Sequence, residues 1–143
     1  MTTHHRHTLL ALIVAAILLA LAAVSAHAQD FSNYTGAELY KRFCSSCHGA
    51  HAKGDGPVAK SFKIEVPDLT RISQRHGGQF PADQIKKIID GRQVLPPHGS
   101  RDMPVWGFEF YLQSQNAGHE DPQHRTDEII ARLTDYLRSL QLE

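Results

Sequence analysis

The chain has 143 residues, room for one domain and no more. Its 15 basic and 15 acidic side chains cancel, and no block of like charge supplies the footprint that a nucleic acid or a strongly charged partner would need. Two cysteines are too few for a cysteine-built zinc centre.

Met1 to Thr8 carry Arg6 and three histidines, Leu9 to Val24 are uninterruptedly apolar, and Ala26-His27-Ala28 has the A-x-A form of a processing site. Residues 1–28 are therefore read as a signal peptide cleaved after Ala28. The alternative is a retained membrane anchor, for which the apolar run is short. On either reading residues 29–143 form a single domain outside the cytoplasm, in the periplasm. Loss of Arg6 leaves 14 basic against 15 acidic groups, unevenly spread: residues 66–104 carry six basic and four acidic, residues 105–143 three and seven. A domain this small needs help with its core, and a buried cofactor would provide it.

No internal repeat or low-complexity tract follows the export segment. Thr35 or Asn33 can cap a helix running to about Cys47, with Leu39, Tyr40 and Phe43 as its apolar stripe. Gly49 to Pro57 is loop, Val58 to Ile64 can make one or two helical turns, and Val66-Pro67-Asp68-Leu69 is extended. Pro81 and Asp83 start a helix with apolar positions Ile85, Ile88 and Ile89, ended by Gly91. Residues 92–104 form a loop, Val105 to Leu112 a short helix, and the polar residues 113–121 a second loop. Asp121 caps a last helix with Pro122 at its first position. Its apolar face is Ile129, Ile130, Leu133, Tyr136, Leu137 and Leu140. No period-two run of strand length occurs, so the class is all-α.

The first helix ends in Cys44-Ser45-Ser46-Cys47-His48. C-x-x-C-H in an exported protein reads as a c-type haem attachment site. On a helix the two cysteines share a face and can reach the two vinyl groups of one porphyrin, and His48 can rise under it to ligate iron. Three other readings fit less well. A thioredoxin-like pair sits at the head of a helix in a βαβ context, and no strand pattern precedes Cys44. A zinc site needs two further ligands. A disulfide here would close a tiny loop and stabilise little.

Haem iron with one histidine needs a sixth ligand or stays open. Met103 is the only methionine after the export segment, in a loop of prolines and glycine where packing methionines are less expected. His98, in the same loop, is the rival ligand. His51, His76, His119 and His124 read as solvated and without a role.

In these features the chain resembles a class I cytochrome c over roughly residues 34–141. Gly36 and Tyr40 stand eight and four residues before the first haem cysteine, as in that family, and Leu133-Thr134-Asp135-Tyr136-Leu137 is similar to its C-terminal helix signature. Gly54-Asp55-Gly56-Pro57, Pro67-Asp68-Leu69-Thr70 and Met103-Pro104-Val105-Trp106-Gly107 are also family-like. The resemblance implies the cytochrome c fold: N- and C-terminal helices packed crosswise around one covalently bound haem, with loops covering it. It implies one haem c held by Cys44 and Cys47, His48 and Met103 as axial ligands, and the Pro57 carbonyl accepting from the His48 ring. Trp106 is expected to pack at the haem edge, bond a propionate or simply fill the core. The polar segment 108–124 is longer than in the smallest members of the family.

The implied activity is one-electron carriage rather than catalysis. The partners would be transient redox proteins (an oxidase, reductase or dehydrogenase), with no nucleic acid, and with a membrane only if the N-terminal segment is retained. Two alternatives stay open: a haem subunit of an oxidase or dehydrogenase complex, and a gas-binding or peroxidatic haem protein.

Overall fold

The computed structural model describes residues 7, 10, 12–16, 30–92 and 103–142. The cleavage site and His98 lie outside them. Among the described residues the fold is helical and contains no strand, as the sequence predicts.

The first long helix, α1 (Gly36–Phe43), starts where Thr35 closes a capping box. The Glu38 N–H donates to Thr35 Oγ1 at 3.3 Å and the Thr35 N–H donates to Glu38 Oε2 at 2.8 Å, so two orphan helix-end donors are satisfied together. The Thr35 N–H and the Thr35 hydroxyl, both donating to Glu38 Oε2, hold the Glu38 carboxyl below its usual range. The expected single helix to Cys47 is broken at Cys44 (φ −115°), and a separate turn, α2 (Ser45–His48), carries the rest of the motif. At the break, Ser45 Oγ donates to the Lys41 carbonyl at 2.6 Å, a side-chain bond that competes with the helical ladder.

Two 3₁₀ turns (Ala59–Ser61 and Leu69–Arg71) and a short helix α3 (Ile72–Arg75) follow. Next come α4 (Ala82–Asp90), ended by Gly91 in the left-handed region, α5 (Trp106–Asn116) and α6 (Pro122–Ser139). The polar run after Leu112 is not a loop from residue 113, as the sequence suggested. Helix α5 continues to Asn116, supported by Gln113 Nε2 donating to Glu109 Oε1 at 3.0 Å. Its inward face is Gly107, Phe110 and Ser114, too small and mixed to show as an apolar stripe.

Helix α6 is the spine and packs on α1, α4 and α5. Leu39, Phe110, Ile129 and Leu133 are essentially inaccessible at its interfaces. The crossing with α1 is set by Gly36, where a Cβ would meet the Arg132 carbonyl and come within 2.7 Å of Tyr136 Cβ. Arg132 then ties the chain before α1 down: its Nη1 donates to the Ser32 carbonyl at 2.7 Å and its Nη2 to that of Phe31 at 3.2 Å. Beyond α6, Gln141 Nε2 donates to the Leu69 carbonyl and Gln141 Oε1 accepts from the Ser73 N–H, both at 2.8 Å. These bonds fix the segment 69–73 against the end of the last helix.

Candidate functional site

The elements enclose a cavity of about 570 Å³, within the roughly 300–1,000 Å³ that cofactor pockets span. Its walls are largely apolar: Phe62, Leu69, Ile72, Ile85, Ile88 and Leu137 contribute from four separate stretches of chain. Cys44, Cys47, His48, Met103 and Trp106 all line it, so the structure brings five of the six sequence-predicted site residues to one space. Pro57 is not among the lining residues.

The His48 ring turns its Nδ1 to the Pro67 carbonyl, 3.2 Å away. A carbonyl only accepts, so Nδ1 carries the proton and the Nε2 lone pair is left for a metal. Pro67, not Pro57, is therefore the second-layer partner, which corrects the expectation from the resemblance. The Gly54–Pro57 stretch instead folds back on α2: the Gly56 N–H donates to the Cys47 carbonyl at 3.1 Å and the Val58 N–H to that of Ser46 at 3.1 Å. A Cβ on Gly56 would collide with both of these carbonyls, so only glycine permits the fold-back. Burial pushes the His48 imidazole below its ordinary value, opposed in part by the bond to Pro67, and favours the neutral, ligating form.

Cys44 is buried and Cys47 partly so, and both thiols are free, which removes the disulfide reading for this structure. Burial, and then the neighbouring Cys47, push the Cys44 thiol up to about 12. Among the described residues no group of three His, Cys, Asp or Glu side chains could hold a metal ion by itself, so a zinc centre finds no support here.

Tyr40 anchors the turn after the motif: its hydroxyl donates to the Gly49 carbonyl at 2.6 Å, and desolvation raises its titration well above the ordinary phenol range. Trp106 packs its ring against Phe43 at 5.2 Å between centroids, and Phe43 meets Phe110 and Phe31 edge-on at 5.0 Å each. An aromatic cluster thus backs the cavity beside Cys44.

His76, expected to be solvated and without a role, lines the cavity, as does Arg75, and His119, also expected to be solvated, pairs with Asp30 at 3.2 Å. The family-like Pro67-Asp68-Leu69-Thr70 stretch was the available signal that this part of the chain joins the site.

These residues fit a porphyrin. The volume and apolar walls suit a flat macrocycle, two free thiols reach one edge of the space, and a neutral imidazole with a fixed tautomer faces it. No curated protein and no solved structure matches the chain. The family model for cytochrome c matches residues 34–141, which takes in both crossing helices, the C-x-x-C-H turn and the whole lining of the cavity. On that match the chain belongs to the cytochrome c family, whose members transfer electrons through haem.

Proposed function

We propose that the protein is an exported, monohaem electron carrier of the periplasm, with haem c tethered through Cys44 and Cys47 and ligated by His48 and Met103. Haem, once bound, would supply the one-electron chemistry through its ferric/ferrous couple. The observation that carries the reading is the convergence of Cys44, Cys47, His48 and Met103 on one apolar cavity.

The chain's own residues hold and tune. The two thioethers fix the cofactor, and the Pro67 carbonyl orients the His48 ring and raises its basicity. The Met103 thioether, a soft ligand, favours the reduced iron and raises the potential. The apolar walls exclude water and keep the charge change on the metal from being dissipated in solvent. His48 and Met103 together would hold the iron in both oxidation states, so that little rearrangement would accompany each electron. The partner is a redox protein met in a weak, transient complex, of the kind that buries less than about 1,200 Å².

The experiment is the visible spectrum of the exported, dithionite-reduced protein before and after carbon monoxide. A low-spin haem c spectrum left unchanged by the gas supports a closed, six-coordinate carrier. Ready binding of the gas removes Met103 as a firm ligand and moves gas binding or peroxide chemistry ahead. Mass spectrometry of the native N-terminus tests export, with cleavage after Ala28 expected and a retained segment pointing to membrane attachment.

A further inference from the structure

The partner that fixes the His48 tautomer is a backbone carbonyl, so its position depends on whatever holds the chain around Pro67. At 3.2 Å the contact from His48 Nδ1 lies at the long end of the range for N–H···O bonds. A small displacement of the carbonyl is enough to break it.

Two residues on, the Leu69 peptide is gripped from both sides. Its N–H donates to the Ala52 carbonyl at 2.7 Å. Ala52 is buried and stands at φ 60°, the one non-glycine residue with positive φ among the described residues. That conformation is costly for an L-residue and persists only where the surroundings enforce it. On the other side, the Leu69 carbonyl accepts from Gln141 Nε2 at 2.8 Å. The same nitrogen donates to the Leu137 carbonyl at 2.8 Å, and Gln141 Oε1 accepts from the Ser73 N–H at 2.8 Å. The Leu142 N–H adds a bond to the Thr70 carbonyl at 2.9 Å.

These three partners of Gln141 call for a primary amide. Two carbonyls need donors and one N–H needs an acceptor, and the Ser73 N–H settles which end of the amide is oxygen. A carboxylate would set an oxygen against two carbonyls, and a thioether offers no donor. Pro67, Leu69 and Ile72 all line the cavity, so the tail beyond α6 grips the stretch of wall that carries the acceptor for His48.

We propose that Gln141 is a positioning residue for the axial histidine: its amide holds the chain from Leu69 to Ser73 and so keeps the Pro67 carbonyl within bonding distance of His48 Nδ1. This assignment rests on the haem-carrier reading. Its sign follows from the chemistry of the imidazole. A carbonyl at Nδ1–H makes the ring a stronger donor to the metal, and a stronger donor favours the more highly charged ferric iron. Loosening the clamp therefore raises the reduction potential.

The test uses the holoprotein with Gln141→Met, which keeps the length without the donors, and Gln141→Glu, which keeps the shape with an oxygen in place of Nε2. Thr35→Ala is the control, since it loses the α1 cap and does not line the cavity. Denaturation midpoints establish that each variant is folded. The readouts are the reduction potential and the solvent exchange of the His48 Nδ1–H, followed by NMR in the ferrous state. Both Gln141 variants should raise the potential and speed the exchange by about two- to tenfold, as the loss of one hydrogen bond of ordinary net strength gives. Thr35→Ala should move neither. Either readout unmoved in both Gln141 variants, or moved equally by Thr35→Ala, means that the tail only stabilises the fold and overturns the inference. A fall in potential, the effect of water entering the cavity, overturns it too. With a low-spin haem c spectrum intact, each of these results leaves the carrier reading standing. A parent without covalent haem overturns both.

Discussion

His48 owes its ligating form to two neighbours, the desolvating cavity and the Pro67 carbonyl. In the proposed carrier Met103 would complete the ligand set, and its thioether is the replaceable member. Met103→Ala should lower the reduction potential by on the order of 0.2 V, part of the roughly 0.8 V that axial ligands command, and should open the iron to carbon monoxide. An unchanged potential would remove the ligand assignment. Away from the site, Asp30 is held at about 2, below its ordinary 3.8, chiefly by the Ser32 hydroxyl 2.6 Å away and secondarily by the Ser32 N–H and His119. Its folded-state value is depressed, so the stability it adds is fully present above about pH 4 and is lost as pH falls toward 2. Asp30→Asn should be less stable than the parent at neutral pH, and the gap between their denaturation midpoints should close over that acid window. A gap that persists at low pH would contradict the assignment.

Helix ends and crossings were the most legible features, because they depend on single residues with one physical function. Thr35 caps α1 and Asp121 caps α6, as their side chains predict. Thr35→Ala should cost about 1 kcal/mol, read from the shift in chemical denaturation midpoint. Gly36→Ala should cost about 1–3 kcal/mol, because the added methyl meets backbone and Cβ atoms of α6 that cannot turn aside. A neutral Gly36→Ala would mean that the helices do not cross at this point. Leu133, with no accessible surface, should lose about 2–5 kcal/mol on truncation to alanine. The misread elements have equally local causes. The break at Cys44 rests on a Ser45 back-bond that periodicity does not register, and α5 ran four residues past its predicted end because its buried face uses glycine and serine.

Charge is divided unevenly along the chain: residues 66–104 carry six basic and four acidic groups and residues 105–143 three and seven, while α5 and α6 themselves are nearly balanced. A cavity of about 570 Å³ in so small a domain also makes the cofactor part of the core. The Cys44→Ala/Cys47→Ala chain should lose most of its far-ultraviolet helical signal and its cooperative melting, whereas a full helical spectrum would show that the fold stands without haem. The attachment motif and fold class were legible because covalent and axial chemistry demands fixed residues at fixed spacing. The acceptor for the His48 ring and the place of His76 were not, because both depend on how the chain from Gly49 to His76 folds back on α2. The decisive experiment is the intact mass of the exported protein after acid–acetone extraction. One haem retained per chain, lost when Cys44 and Cys47 are both replaced, is the expected result; a chain that releases all of its haem, or carries none, would contradict the account.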